Sequence, residues 1–401
     1  MKTIFIGCLY PREKEDEIRK QSKVGLNNSS NNLQWHLIKG LESFYDGVSI
    51  VTFPLVETYP LRNRKLIYND YEFAHKPDSK DISLGFINLP LINKYSIYIK
   101  CKKYLKKLLQ QDTDVTIFVY HINSSVLNAL AHFKKNKKIK ICLIVTDLPQ
   151  FTSESKNIVY RFLKRIDSVA INKRINNNVD AFVLVNDKMK EYINTDNKPH
   201  VRIEGIFHSD FIPNKQQYSG GTKNILYTGN LGKRYGIKNL LDSFALIDNP
   251  NYQLWIRGNG AEKTRVLQAM KSDARIKYFE EMTRENLLQL LTKATVLINP
   301  TPPTNVFSQY NFPSKVMDYL ASGTPVITTN LLCFPEEYFD YMFVAESEEP
   351  ESLKKVIVKV CEMSDIERSK IGLKAKKFIF EEKNPIRQCE KIFEMLSHIE
   401  K

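Results

Sequence analysis

The densest run of residues able to do chemistry in this 401-residue chain reads Asn299-Pro300-Thr301-Pro302-Pro303-Thr304-Asn305, then Asn311-Phe312-Pro313-Ser314-Lys315-Val316-Met317-Asp318. A strand ending at Asn299 and a proline-rich loop lead to a helix opened by Pro313 and Ser314; proline suits a first helical turn because its missing N–H would have no partner there. Free backbone N–H groups at that start, with Lys315 in the first turn, make a candidate diphosphate site. Asp318, one turn on, is placed to accept hydrogen bonds from sugar hydroxyls. The same residues also suit an ordinary helix start with a surface Lys and Asp.

Two further strand-end turns carry glycine and positive charge. Tyr227-Thr228-Gly229-Asn230-Leu231-Gly232-Lys233-Arg234-Tyr235-Gly236 lets the backbone approach a ligand, with Lys233 and Arg234 offered to a phosphate. It is neither Gly-x-Gly-x-x-Gly nor a P-loop. Arg257-Gly258-Asn259-Gly260 closes the next strand in the same manner. Each turn alone is a common surface feature, and only three such turns facing one ligand would make a site.

In the first half, His121 follows the apolar run Val115 to Tyr120 and precedes a helix opened by Asn123, Ser124 and Ser125. A strand-end His can donate a hydrogen bond to a sugar or phosphate oxygen, or simply cap a helix. Asp147 ends the next strand and either meets an acceptor hydroxyl or starts a turn. His208 falls in a polar connector and reads as a linker residue.

The elements that must position these residues alternate regularly. Strands are expected at Lys2 to Cys8, Val48 to Phe53, Val115 to Tyr120, Lys140 to Val145 and Ala181 to Val185. Helical patterns fall at Asn31 to Tyr45, Ser96 to Gln111, Ser124 to Lys134, Lys156 to Asn177 and Asp187 to Tyr192. After the connector the alternation restarts, with strands at Asn224 to Tyr227, Gln253 to Arg257, Ile276 to Phe279, Thr295 to Asn299, Pro325 to Thr328 and Phe343 to Ala345, and helices over Glu351 to Lys401. Strands that are apolar throughout and separated by helices imply parallel sheets covered on both faces. The expected organisation is an N-terminal Rossmann-like domain over 1–207, a linker over 208–222, a second such domain over 223–380, and a final helix over 381–401 returning toward the first. Ligands of open α/β sheets bind at the carboxyl ends of the strands, so the expected site is a crevice between two facing sheets.

Composition narrows the class. Hydrophobic residues make up 42% and charged residues 26%, which excludes a largely disordered chain or a bundle of membrane spans. The apolar start Thr3 to Leu9 runs into Arg12-Glu13-Lys14-Glu15 without a small-residue cleavage site, so it reads as a first strand of a cytoplasmic protein. Six cysteines show no Cys-x-x-Cys and no neighbouring His pair, so they read as reduced, mostly buried thiols rather than zinc ligands or disulfides. The net charge of +14 is lopsided: residues 1–200 carry +12 and the remainder +2. Nucleic acid, anionic lipid or a phosphate-bearing substrate could answer such a surface. Between Tyr98 and Leu109, Cys101, Tyr104, Leu105, Leu108 and Leu109 form a core-facing stripe opposite Lys100, Lys102, Lys103, Lys106 and Lys107, which is either a solvated face or one that docks on an anionic bilayer.

The run Phe312 to Val326 resembles the donor-binding signature of glycosyltransferase family 4, the retaining, nucleotide-sugar-dependent enzymes of the GT-B fold. The turns at Gly229 to Arg234 and Arg257 to Gly260 and the stretch Ile276 to Pro300 fall in that family's order. The resemblance is specific over about 224–330 and looser before it, where His121 resembles the family's sugar-contacting His and Asn27 to Asn32 its acceptor-side loop. It implies that Lys233, Arg234, Ser314 and Lys315 hold the donor diphosphate and that Gly229, Asn230, Gly232, Arg257, Gly258, Tyr310 and Pro313 also line the donor site. Asp318 would hold the ribose, backbone around Glu281 and Met282 the base, and His121 the transferred sugar. Asn28, Ser29, Asn32 and Asp147 would face the acceptor. Two departures stand out: the family's Glu-x7-Glu is here Tyr310 and Asp318, and the Arg that usually follows the first glycine is Asn230.

The implied reaction moves a sugar from a nucleoside diphosphate, with a UDP-sugar expected as donor, to a saccharide or polyprenyl-pyrophosphate-linked acceptor in capsule, O-antigen or exopolysaccharide synthesis. No cofactor or metal is expected, because fixed cations can neutralise the leaving diphosphate. A peripheral position on an anionic membrane is expected from the basic first half. A nucleotide-sugar epimerase of the same fold and a basic nucleic-acid-binding module are the rival readings. Against the latter stands the absence of zinc-finger, RNA-recognition or aromatic-stacking patterns among the lysines.

Overall fold

The computed structural model describes residues 2–109, 114–134, 138–148, 172–195, 197–209, 213 and 221–399. The chain divides into two units, one of Met1–Ile206 with Pro385–Lys401 and one of Phe207–Asn384.

In the first unit the described strands are β1 (Lys2–Gly7), β2 (Val48–Thr52), β3 (Ile67–Tyr68), β4 (Tyr71–Phe73), β5 (Asp81–Ser83), β6 (Phe86–Ile87), β7 (Asp114–Tyr120), β8 (Lys138–Val145), β9 (Ala181–Leu184) and β10 (His200–Arg202). Eight of them form one sheet in the order β10-β9-β8-β7-β1-β2-β5-β4, parallel except where β4 runs against β5, while β3 and β6 pair separately. Past Asp114, every residue of β7 is buried, as expected of a strand covered on both faces. The core joins Phe5, Leu37, Leu41, Phe118 and Ile144 to Cys389 and Ile392 of the C-terminal helix Pro385–Ser397. That helix lies on Asn28–Leu41, where Phe393 stacks on Phe44 at 5.3 Å and meets Tyr45 edge-on at 5.8 Å.

In the second unit, β11 (Lys223–Thr228), β12 (Tyr252–Arg257), β13 (Ile276–Phe279), β14 (Val296–Asn299), β15 (Val326–Thr329) and β16 (Phe343–Ala345) form a parallel sheet ordered β13-β12-β11-β14-β15-β16. Its core is mainly aliphatic with a few rings: Ile225, Leu254, Ile256 and Ile298 meet Leu240 and Phe244 of the helix Ile237–Ala245 and Ile357 of Pro350–Glu362. Among the described residues no helix is long and apolar enough to cross a membrane.

The main strands lie within a few residues of their sequence-expected positions. Several local features differ. The helix expected from Asn31 starts at Asn28, because the Asn27 side chain accepts the Ser30 N–H at 3.1 Å and caps it. Asp187–Glu191 is a 3-10 turn rather than an α-helix. The strands between Ile67 and Ile87, and β10, had no counterpart in the sequence reading; at two or three residues they are too short to show a period. The helix expected at Lys156 to Asn177 lies outside the described residues up to 171, as does most of the 208–222 connector.

Candidate active site

In the second sheet the strand order reverses between β11 and β14, and the crevice at such a reversal is where a doubly wound sheet binds ligands. Three turns meet there backbone to backbone. A Cβ on Gly258 would lie 1.8 Å from the Gly229 carbonyl oxygen, and one on Gly236 would lie 1.9 Å from that of Pro300. With φ of 149° and 78°, both positions also demand glycine conformationally. The turns after β11, β12 and β14 are therefore one packed surface. Tyr278 Oη donates to the Gly258 carbonyl at 2.7 Å, and Asn299 Nδ2 donates to Thr328 Oγ1 at 3.1 Å, which fixes two edges of it.

Lys315 reaches this surface. Its Nζ is buried, has no hydrogen-bond partner, and sits 3.9 Å above the Tyr227 ring, while its side chain runs past Gly229. Desolvation pushes its ammonium down to about 7. Arg257 Nε, at the end of β12, is likewise buried without a partner. Two cationic groups thus stand at adjacent strand ends with donor atoms that no described residue satisfies. The helix behind Lys315 spans only Lys315–Ala321, and Ser314 makes no side-chain cap, so the charge here belongs to the amine more than to a helix end.

The other expected residues take varied positions. Asn230 and Lys233 are exposed on the first turn, and Gly232 opens the 3-10 turn Lys233–Tyr235. The Arg234 guanidinium lies 4.0 Å over Phe307. Asp318 is held by Arg284 through contacts of 2.7 and 3.2 Å, so its carboxylate is oriented but already paired. Glu281 is exposed and Met282 half-buried just past β13. Pro313 and Ser314 lead into the Lys315 helix. Tyr310, at the position of the family's first Glu, ends the short helix Val306–Tyr310 and is buried, a correction to the open loop expected there.

In the first sheet the order reverses between β1 and β7. His121 stands directly after β7 with φ of 68°, its N–H held by the Ile144 carbonyl at 2.8 Å. A left-handed conformation is uncommon for histidine and recurs at functional positions. Burial lowers its pKa, keeping the imidazole neutral. Nearby, Asn31 and Gln34 accept the Tyr10 and Cys8 N–H groups at 2.9 and 2.7 Å, and Ser30 Oγ donates to Tyr120 Oη at 3.2 Å. These inward residues secure the loop after β1, leaving Asn28 and Ser29 exposed and Asn32 half-buried on the same first turns. Asp147 is half-buried just past β8.

Tyr227 and Arg284 were missed at the sequence level. Tyr227 reads as one more apolar residue of a strand and Arg284 as one more helix-start charge, and neither carries a local signal. Among the described residues no group of three or more His, Cys, Asp or Glu could hold a metal ion.

Residues 208–378 match the family model described as glycosyl transferases group 1. No curated protein sequence matches the chain. Among solved structures, the chain is similar to sucrose-phosphate synthase from Thermosynechococcus elongatus (14% identity, TM-score 0.68, all of both chains covered). It is also similar to Anabaena HepE in complex with UDP (12%, 0.63, 99% of this chain and 100% of that one). A third likeness is to the catalytic domain of starch synthase IV from Arabidopsis thaliana bound to ADP and acarbose (9%, 0.65, 99% of each). Likeness at these identities establishes the fold, which is GT-B with a Rossmann-like parallel sheet in each unit.

Proposed function

From a GT-B chain whose second unit matches group 1 glycosyl transferases, we propose an enzyme that moves a sugar from a nucleoside diphosphate to a saccharide hydroxyl, with retention at the anomeric carbon. The observation that carries this reading is the buried, unpartnered Lys315 amine beside Gly229, at the reversal point of the second sheet. A buried cation without a counter-ion is costly, and a donor diphosphate supplies the missing charge.

In the proposed reaction the bond from the anomeric carbon to the β-phosphate oxygen breaks, and the acceptor oxygen bonds that carbon on the same face. The acceptor proton passes to the departing phosphate. Negative charge grows on the diphosphate as it leaves, so cations already fixed there stabilise the transition state more than the ground state. Lys315, Arg257, Lys233 and Arg234 supply that charge without a metal. Asp318, oriented by Arg284, receives the ribose, and backbone near Glu281 and Met282 the base. A UDP-sugar is the first donor to test. His121 touches the transferred sugar, and Asn28, Ser29, Asn32 and Asp147 face the acceptor. The excess of positive charge in residues 1–200 favours an anionic acceptor, a polyprenyl-pyrophosphate-linked saccharide of a surface polysaccharide at the cytoplasmic face of a membrane.

Calorimetric titration with nucleoside diphosphates and product analysis by NMR test the reading. Lys315→Ala is expected to keep its fold and lose at least about tenfold in turnover, about 1.4 kcal/mol of barrier. A bound diphosphate favours the ammonium form, so nucleotide affinity should fall as pH rises above about 7, and Lys315→Ala should remove that slope. Wild-type turnover in the variant, or conversion of the donor to an epimer without acceptor, would overturn the assignment.

A further inference from the structure

Helix Ile92–Leu108 of the first unit has two outward zones that the proposed reaction does not use. Leu91, Ile92, Tyr95 and Ile99 are 72, 47, 65 and 44% exposed, and the spacing of the last three, at i, i+3 and i+7, aligns them on one face. Continuing that face toward the C-terminus come Lys103, Lys106 and Lys107, all exposed. At 100° per residue, Lys106 falls within the apolar stripe, Lys102 on one side of it and Lys100 and Lys107 on the other. The helix contains six lysines and no acidic residue.

Beside the stripe lies a groove of about 590 Å³ between this helix and Ser124–Lys134. Its walls include Lys94, Tyr98, Ser124, Asn128, His132 and Arg174. The Tyr98 hydroxyl and His132 Nε2 are 2.8 Å apart, and Asn128 Oδ1 is buried without a hydrogen-bond partner. Basic side chains, hydroxyls and an unsatisfied amide oxygen next to an exposed apolar stripe suit a phosphate-bearing headgroup above and acyl chains below.

We propose that this face docks the protein on an anionic bilayer, with Leu91, Ile92, Tyr95 and Ile99 entering the interfacial region and the lysines lying against lipid phosphates. The physical case is charge complementarity around an apolar centre. An aromatic ring bearing a hydroxyl prefers the membrane interface, lysines extend their amines to headgroups while their stems cover apolar surface, and the helix itself carries no carboxylate to oppose the anionic leaflet, the neighbouring Asp70 being paired with Lys100 at 2.9 Å. Neither zone depends on the sugar-transfer reading.

Flotation of the full chain with vesicles of phosphatidylcholine, with or without phosphatidylglycerol, tests this without any reaction. Binding is expected only with the anionic lipid and should fall as salt shortens the screening length. Lys103→Glu, Lys106→Glu and Lys107→Glu should each weaken it about fivefold or more. The combined Leu91→Ser, Tyr95→Ser, Ile99→Ser variant should abolish stable binding while still melting cooperatively, with only a small loss of stability, because Leu91 and Tyr95 are mostly in water and Ile99 is partly so. No binding to anionic vesicles at low salt, or undiminished binding by the serine variant, would overturn the proposal. So would a wild-type dimer that the serine substitutions convert to monomer, since a second copy would then cover the face.

Discussion

Charge without a partner is the most informative feature at the scale of single residues. Surface lysines keep their protons cheaply, but Lys315 is desolvated above an aromatic ring and held near about 7, where a bound anion changes its state. His121 is a different kind of residue: burial lowers its pKa, its φ is positive, and it belongs to the first unit. Its expected role is a hydrogen bond to the transferred sugar. His121→Ala should therefore lower sugar transfer while leaving nucleoside diphosphate affinity close to wild type, read by comparing turnover with calorimetric titration; lost diphosphate affinity with normal transfer would move His121 to the leaving group. His121 and Lys315 were both visible in the sequence as a His after an apolar strand and a Lys after Pro-Ser. What gives them meaning, a buried amine without a partner for Lys315 and a positive φ for His121, is not a property of local sequence.

At the scale of elements, the turns proposed to hold the diphosphate are shaped by contact between backbones. Gly258 sits against Gly229 so closely that any side chain must part the turns after β11 and β12. Gly258→Ala should thus cost about 2–4 kcal/mol and weaken nucleotide binding, measured by denaturant unfolding and calorimetry. Gly221→Ala is the control: it shares a positive φ but meets nothing within 4 Å, so only a backbone penalty of about 1 kcal/mol is expected. Equal costs for the two would show that the close approach does not matter. The sequence offered these turns as able to face one ligand but not their close packing, because strands distant in the chain bring them together only after the sheet is ordered β13-β12-β11-β14-β15-β16.

At the scale of the whole molecule, each unit has its own core, so perturbations should register separately. In the first unit His75 is buried between Asp81, 2.6 Å from Nδ1, and Glu42, 2.9 Å from Nε2. Burial alone would lower its pKa, but these two carboxylates outweigh it and raise it above the usual 6.5. Asp81 is correspondingly held below 3.8, its hydrogen bonds with His75, Ile50 and Ser79 overcoming desolvation. The His75 contribution is complete below 6.5 and is lost as pH rises through its raised folded value. The Asp81 contribution is complete above 3.8 and is lost as pH falls through its lowered one. Calorimetric melting of the first unit should therefore be highest between these limits and decline on the alkaline side. His75→Gln should flatten that decline without altering the second unit's transition.

By itself, the sequence determined the α/β class, the two-part organisation of strands and helices, the positions of the longer strands and the places of the glycine-bearing turns. Those follow from local physics: a strand buried on both faces must be apolar along its length, and a turn with positive φ must draw on glycine. Only the tertiary structure decided that the turns form one surface, that Arg284 already holds Asp318, that Tyr227 floors the Lys315 amine, and that strands of two or three residues extend the first sheet. These depend on distance through space between residues far apart in the chain, and on the removal of water around a particular charge, neither of which any local pattern of residue types can encode.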